Sequence, residues 1–293
     1  MNEHLNATQL RKIWGYEKRP DGTLAITSYK GEETQLHIPA KIGKYPVTAI
    51  GASAFSTNRS GRRWQQLVAL YGIQSVIIPE GVTAIEGWAF YGCKNMAQIK
   101  LPDSLTQIGE EAFACCKSLV EIAVPENVVS VGYAAFCGCD ELRRITVPAH
   151  IESPVVDVYS SVSAPETYEI FGGCNKLEVL QAPGIWPEKV KNPVVRRALV
   201  MGFLENPELY RSPLKIKMYQ DQMNGKQGKK LLQSIFAEDS VRCLATYCAI
   251  GKIPQEEVEK ELLQPALEAG ANQCVAFLLD WKNKLATTET ELL

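Results

Sequence analysis

Three consecutive stretches decide the reading: PEGVTAIEGWAFYGCKNMAQIKL (79–101), PDSLTQIGEEAFACCKSLVEIAV (102–124) and PENVVSVGYAAFCGCDELRRITV (125–147). Each is 23 residues long and starts at a proline. At this period Ile85, Ile108 and Val131 coincide, as do Phe90, Phe113 and Phe136, and Cys93, Cys116 and Cys139. Met96, Leu119 and Leu142 coincide as well. Agreement at one fixed period marks an array of units that cannot bury their apolar faces alone and must stack.

Longer copies flank the three. PAKIGKYPVTAIGASAF begins at Pro39, and the insert STNRSGRRWQQLVALYG (56–72) follows it. The last copy runs from Pro148 to Ala182, has its extra residues before Phe171 in the insert ESPVVDVYSSVSAPETYEIF, and closes with FGGCNKLEVLQAP. Longer terminal units fit a solenoid, whose end repeats must shield a core that neighbours cover elsewhere. Residues 16–38 read as a strand–turn–strand cap in front. Each copy holds two β signals. One is Ile99-Lys100-Leu101-Pro102 and its equivalents, alternating inward and outward with period two; the other is VTAI and its equivalents, a shorter extended piece leading to a turn. Stacking at the inter-strand spacing of about 4.8 Å lines like residues into ladders, so Phe55, Phe90, Phe113, Phe136 and Phe171 form one aromatic spine.

The pattern IPxxVTxIGxxAFxGCxxLxxIxLP resembles the BspA-type (Treponema pallidum-type) leucine-rich repeats, over roughly residues 22–183. The resemblance implies a curved solenoid with parallel strands on its concave side and binding to other proteins, often as surface adhesins. The chain departs from the adhesin pattern in showing no leader, cell-wall anchor or long array of copies.

After Gly184 strand signals give way to helical spacing: KVKNPVVRRALVMGFLEN, KQGKKLLQSIFAE, DSVRCLATYCAIGK, PQEEVEKELLQPALEAG and NQCVAFLLDWKNKLA. Pro254 sits at a first helical position, Gly270 at a stop, and the final TTETELL reads as a fraying end. The short helices resemble ankyrin-like hairpins. The expected fold class is an α/β repeat protein: a leucine-rich-repeat solenoid of parallel short strands, then an all-α helical-hairpin domain. The expected domains are 1–184, a cap plus five repeats, and 185–293, helices that cover the last repeat.

Composition excludes several classes. The chain is 46% hydrophobic and 22% charged, which is ordinary globular usage. Its net charge of −2 offers no basic excess for phosphate tracking, so no nucleic-acid partner is expected. No secretory leader and no run of 18 apolar residues is visible, and the nine cysteines read as reduced thiols, so the cytoplasm is the expected compartment. A surface or secreted location is the alternative should a leader be missing.

The chemistry is sparse. His4, His37 and His150 are scattered, and neither HExxH, GxSxG nor a phosphate-binding glycine motif occurs. No catalytic residue, metal or cofactor is expected. Cys93, Cys116, Cys139 and Cys174 form a ladder that reads as structural filling, with a redox or metal role as the rival. Solenoids bind through exposed strand positions. Two residues before each proline stand His37, Ile77, Lys100, Ala123, Thr146 and Gln181; four before stand Gln35, Ser75, Gln98, Glu121, Arg144 and Val179. The candidate partner-binding residues are thus His37, Ile77, Lys100, Thr146, Gln181, Gln98, Glu121 and Arg144. Arg59, Arg62 and Arg63 of the first insert join them as a basic loop beside Trp64. The same insert also reads as an end-cap helix whose Trp64, Leu67, Val68 and Leu70 cover the core. The expected function is non-catalytic binding of a protein partner through the concave face and inserts. The alternatives are an adhesin for host or matrix protein, or a thiol-based redox or metal-binding protein.

Overall fold

A computed structural model of the chain describes residues 6–58, 64–151, 170–210, 212–251, 253 and 257–290. By internal contacts it divides into two units, residues 1–177 with 182–185, and residues 178–181 with 186–293.

In the first unit each repeat contributes two short strands to two parallel ladders. One ladder joins β3 (Gln35–His37), β6 (Ser75–Ile77) and β8 (Gln98–Lys100), in register from Leu36 to Val76 to Ile99. β10 (Glu121–Ala123) and β12 (Arg144–Thr146) continue the same pattern, with Ile122 opposite Ile145. The second ladder joins β5 (Tyr45–Ile50), β7 (Ala84–Ile85), β9 (Gln107–Ile108) and β11 (Ser130–Val131). There Ile50, Ile85, Ile108 and Val131 point inward and are buried. The threonine that precedes this strand is explained by the stacking: Thr106 Oγ1 donates to the Thr83 carbonyl (2.9 Å) and Thr83 Oγ1 to that of Thr48 (3.3 Å).

Between the ladders runs the aromatic spine. Ring centroids of Phe55, Phe90, Phe113, Phe136 and Phe171 follow one another at 4.9, 5.4, 5.5 and 6.0 Å, and no interplanar angle exceeds 10°. All five rings are buried. Offset parallel stacking within this range is favourable beyond the area it removes from water. Backbone hydrogen bonds hold the same interval: the N–H of Phe90 donates to the Ala112 carbonyl (2.8 Å) and that of Phe113 to the Ala135 carbonyl (2.8 Å). The repeats approach so closely that a Cβ on Gly109 would lie 2.5 Å from the Gly87 nitrogen, and only glycine fits there.

The turn around the spine takes two left-handed residues in each of the three central repeats, and the flanking copies each show one among the described residues. Ser53, Trp88, Glu111 and Ala134, each two before the phenylalanine, have φ between 47° and 56°. Two after it, Gly92, Cys115, Gly138 and Gly173 have φ between 59° and 77°. In the three central copies the first position is never glycine, so the fold over-determines a conformation that costs a side-chain-bearing residue free energy.

The cap expected over residues 16–38 takes another form: Leu24–Tyr29 and Gln35–His37 enter different ladders, and the hairpin in front begins earlier, at Trp14. β1 (Trp14–Lys18) pairs antiparallel with β2 (Leu24–Tyr29), and β2 joins the second ladder beside β5. Ahead of them stands an unforeseen helix, α1 (Ala7–Ile13), whose N-cap Asn6 exchanges hydrogen bonds with Gln9 in a capping box. Trp14 follows directly, 2% exposed, and sets its ring edge-on to Phe55 at 6.3 Å, ending the spine. In the first insert α2 (Trp64–Tyr71) forms as expected and buries Leu70. Val68, expected in the core, is 51% exposed, because it lies two residues and some 200° around the helix from Leu70. The second insert falls on residues 152–169, outside those described.

In the second unit β13 (Val179–Gln181) is packed by α3 (Pro193–Glu205), and the backbones meet where a Cβ on Gly202 would lie 2.2 Å from the Leu180 carbonyl. Asn192 caps α3 by accepting from the Val194 N–H (2.9 Å). α4 (Pro213–Asp221), absent from the sequence reading, is followed by α5 (Gly225–Ala237) and α6 (Val241–Gly251). A π-helical turn, Val258–Leu263, leads to a helix over Gln264–Glu268, then Gly270 at φ 70°, then a last helix over Asn272–Thr290. Pro254 lies outside the described residues. The end expected to fray is helical as far as Thr290. Phe203, Tyr210 and Tyr219 form the aromatic centre of this unit, with centroids 4.8 to 5.0 Å apart. Asp239 accepts from the N–H groups of Gln273 (3.0 Å) and Cys274 (2.9 Å), capping the last helix from a distant turn and lowering its own pKa.

Phe113→Ala is expected to lower the unfolding free energy by about 3–5 kcal/mol in urea melts, as loss of a buried ring from a close-packed column. Lys100→Ala, on an outward strand position, should shift it by less than about 0.5 kcal/mol. A Phe113→Ala loss below about 1 kcal/mol would refute the stacking.

Candidate partner-binding face

The outward residues of the first ladder form two columns. Gln35, Ser75 and Gln98 are directly aligned, as are His37, Ile77 and Lys100; Glu121 pairs with Arg144 and Ala123 with Thr146. The alternation of a three-residue strand dictates this, since burial of the middle residue turns both neighbours outward. His37, Gln98, Lys100 and Glu121 are exposed, and Ile77 is 39% exposed. Ser75, Arg144 and Thr146 are half-buried. A groove of about 810 Å³ lies over β3, β6, β8 and β10. It brings together His37, Ile77, Gln98, Lys100 and Glu121.

Arg144 and Thr146 are not among its lining residues, and neither is Gln181. Gln181 belongs to the second unit, where its Nε2 donates to Glu205 of α3 (3.1 Å). Val179, expected to face outward in the same column as Glu121, is 1% exposed, on the strand that α3 packs against. Arg59, Arg62 and Arg63 lie outside the described residues. Two groove features were missed by the column reading. Val120 and Ala97, which precede their strands, also line it, and Val120 is 44% exposed. The signal available was an apolar residue just ahead of β8 and β10, where the other strands of the ladder have Thr34, Gln74 or Arg143.

The cysteine ladder has a structural explanation. Each thiol donates to the carbonyl of the spine phenylalanine one repeat earlier: Cys93 to Phe55 (3.4 Å), Cys116 to Phe90 (3.3 Å), Cys139 to Phe113 (3.3 Å) and Cys174 to Phe136 (3.2 Å). A slot that is small, dry and faces a carbonyl suits a thiol better than alanine or serine. Burial raises the pKa of Cys116 and Cys139 well above the ordinary thiol value, and pushes that of Cys174 up to about 12. Such thiols are poor nucleophiles and poor ligands. Cys115 and Cys137 differ in being half-buried, with the Cys115 N–H donating to the Cys137 carbonyl at 2.7 Å. Burial, then the neighbouring Cys115, raises Cys137 too. Among the described residues no three His, Cys, Asp or Glu side chains converge as a metal would require. No helix among them is long and apolar enough to cross a membrane.

Residues 69–178 match the family model for the BspA type leucine rich repeat region, in six copies. This part of the chain is therefore a BspA-type leucine-rich-repeat region. No curated protein matches the chain. Among solved structures, a leucine rich cell surface protein from Faecalibacterium prausnitzii A2-165 is 25% identical, with 58% of this chain and 38% of that one covered at a TM-score of 0.45. The T. pallidum Leucine Rich Repeat protein is 24% identical, with 58% and 79% covered and a TM-score of 0.42. A leucine-rich repeat protein from Bacteroides capillosus ATCC 29799 is 29% identical, with 45% and 91% covered and a TM-score of 0.36.

In the native protein, alkylation by iodoacetamide should reach Cys115 and Cys137 well before Cys93, Cys116, Cys139 or Cys174, read by peptide mass mapping. The raised pKa of Cys174 also sets a sign. Above its ordinary value of 9.0 the unfolded thiol ionises while the folded one keeps its proton, so stability falls between about pH 9 and pH 12. Urea melts at pH 8 and 10.5 should show the loss, and Cys174→Ala should lessen the slope.

Proposed function

We propose that the chain is a non-catalytic interaction scaffold whose groove over β3, β6, β8 and β10 receives a segment of a protein partner. The observation that carries this reading is the make-up of the groove: amides, one cation, one anion and an exposed aliphatic residue on four neighbouring strands. Lys100 and Glu121 stand on adjacent strands and form no ion pair among the described residues, so both remain able to meet charges brought by a partner. Gln98 supplies a donor and an acceptor for main-chain amides. Ile77 and Val120 give apolar contact between the polar positions. This mixture matches a protein surface, with polar groups placed around a smaller apolar centre. The BspA-type repeats over residues 69–178 support the same reading, because arrays of this kind offer an extended surface with few internal demands on its outward residues. The cytoplasm is the compartment we favour, with a cell-surface location as the alternative.

Peptides selected on the full chain from a random display library test the assignment. Lys100→Glu combined with Glu121→Lys should weaken selected binders at least about tenfold, as charge reversal across a recognition patch does. The melting temperature should stay within about 2 °C, since both side chains are exposed. Binders indifferent to these substitutions, and to Ile77→Asp, would place recognition elsewhere and refute the reading.

A further inference from the structure

The second unit holds a cavity that the interaction reading leaves unused. It has about 240 Å³ and opens to solvent between the N-terminal halves of α3 and α5 and the end of α4. Its floor is apolar, built by Val200 and Leu231, each 2% exposed, with Pro193 and Val194 as a wall. Its remaining lining is Arg197, Lys226, Lys230, Gln222 and Gln227. Three cations therefore share one small cavity with no carboxylate in its lining. None of Arg197, Lys226 and Lys230 makes an ion pair among the described residues, although Lys229, one position away, reaches Glu261 at 3.6 Å.

Local electrostatics opposes this arrangement. Lys226 and Lys230 are four apart on α5, where like charges repel. Lys226 also lies in the first turn of the helix, where the macrodipole favours anions, and no acidic residue offsets it there. Sequences that break several local rules at one place, with no compensating contact inside the fold, do so where something outside the chain supplies the compensation.

We propose that this cavity is a binding site for a small organic acid, an anionic head on a compact apolar body. Arg197, Lys226 and Lys230 hold the head, and Val200, Leu231, Val194 and Pro193 receive the body. Gln222 and Gln227 supply donors at the rim. Arg197 is half-buried and its planar guanidinium pairs with a carboxylate through two parallel bonds, which sets the orientation of the head. At roughly 30 Å³, the share of one water molecule in the liquid, the space equals about eight waters and suits a short aliphatic body. A bare inorganic anion would leave the apolar floor wet, and a neutral molecule would leave three cations unanswered.

Calorimetric titration of the full chain with octanoate tests the site, with octanamide and inorganic phosphate as comparators. Octanoate is expected to bind one to one, at least tenfold more tightly than either comparator, and more weakly as salt rises. Arg197→Gln with Lys230→Gln should weaken it at least fivefold. Lys226→Gln with Lys230→Gln, confined to exposed positions of α5, should do the same should the first pair disturb folding. Three results would overturn the proposal: no octanoate binding, octanamide or phosphate binding as tightly as octanoate, or octanoate binding unchanged in folded variants. The last would include uptake by the groove of the first unit, which Lys100→Glu would then abolish.

Discussion

Everything in the repeat region depends on one constraint: each copy lies on the next at the distance of a backbone hydrogen bond. The Phe113 N–H meets the Ala135 carbonyl at 2.8 Å, and the Cys139 thiol returns to the Phe113 carbonyl at 3.3 Å, so each spine residue is tied through both its donor and its acceptor. That interval is also a good separation for stacked rings, which is why phenylalanine can occupy the same place in every copy without crowding. The close contact of Gly109 with Gly87, the thiol slot and the threonine ladder all follow from it. Side chains that point inward are chosen by this spacing. Those that point outward are released from it, and the groove is made from them.

How much of this could be read beforehand depended on whether a feature repeats. The period of 23, the alternation in Ile99-Lys100-Leu101 and the place of Phe113 recur, so chance was easily excluded and the register followed. Helix α1 and the edge-on Trp14 occur once, and a seven-residue helix leaves too short a trace to stand out. Helix α4 was hidden for a related reason: its sequence PLKIKMYQD alternates apolar and basic residues with almost no one-sided face. Val179 shows the limit of column reasoning. Its position in the repeat predicts exposure, but its strand lies against α3, and a tertiary contact outranks the local pattern.

The groove was legible as columns of residue types, and its extent was not. The alignment predicts that His37, Ile77 and Lys100 share a row, and they do. It offers no way to tell that the depression stops short of Arg144 or that Val120 borders it, because a column of residue types carries no depth. The cavity of the second unit had no sequence signal at all. Its cations come from two helices separated by the whole of α4, and only packing brings Arg197 near Lys226 and Lys230.

The column that follows the spine residue carries a different kind of information. Its members are Thr57, Gly92, Cys115, Gly138 and Gly173, so a side chain is followed by a bare backbone. The reason is spatial: a Cβ at Gly92 would lie 2.4 Å from Thr57 Oγ1, and one at Gly138 would lie 3.3 Å from Cys115 Sγ. Each side chain in the column leans over the copy after it. The copies are therefore unequal as building blocks, despite their shared length. Tandem duplication of 102–124 would set one Cys115 against another, whereas duplication of 79–101 would set Gly92 against Gly92 and meet no such obstacle. A copy with an empty place at this position therefore stacks on itself without moving a neighbour, whereas one that carries Cys115 requires that neighbour to give by a few tenths of an ångström.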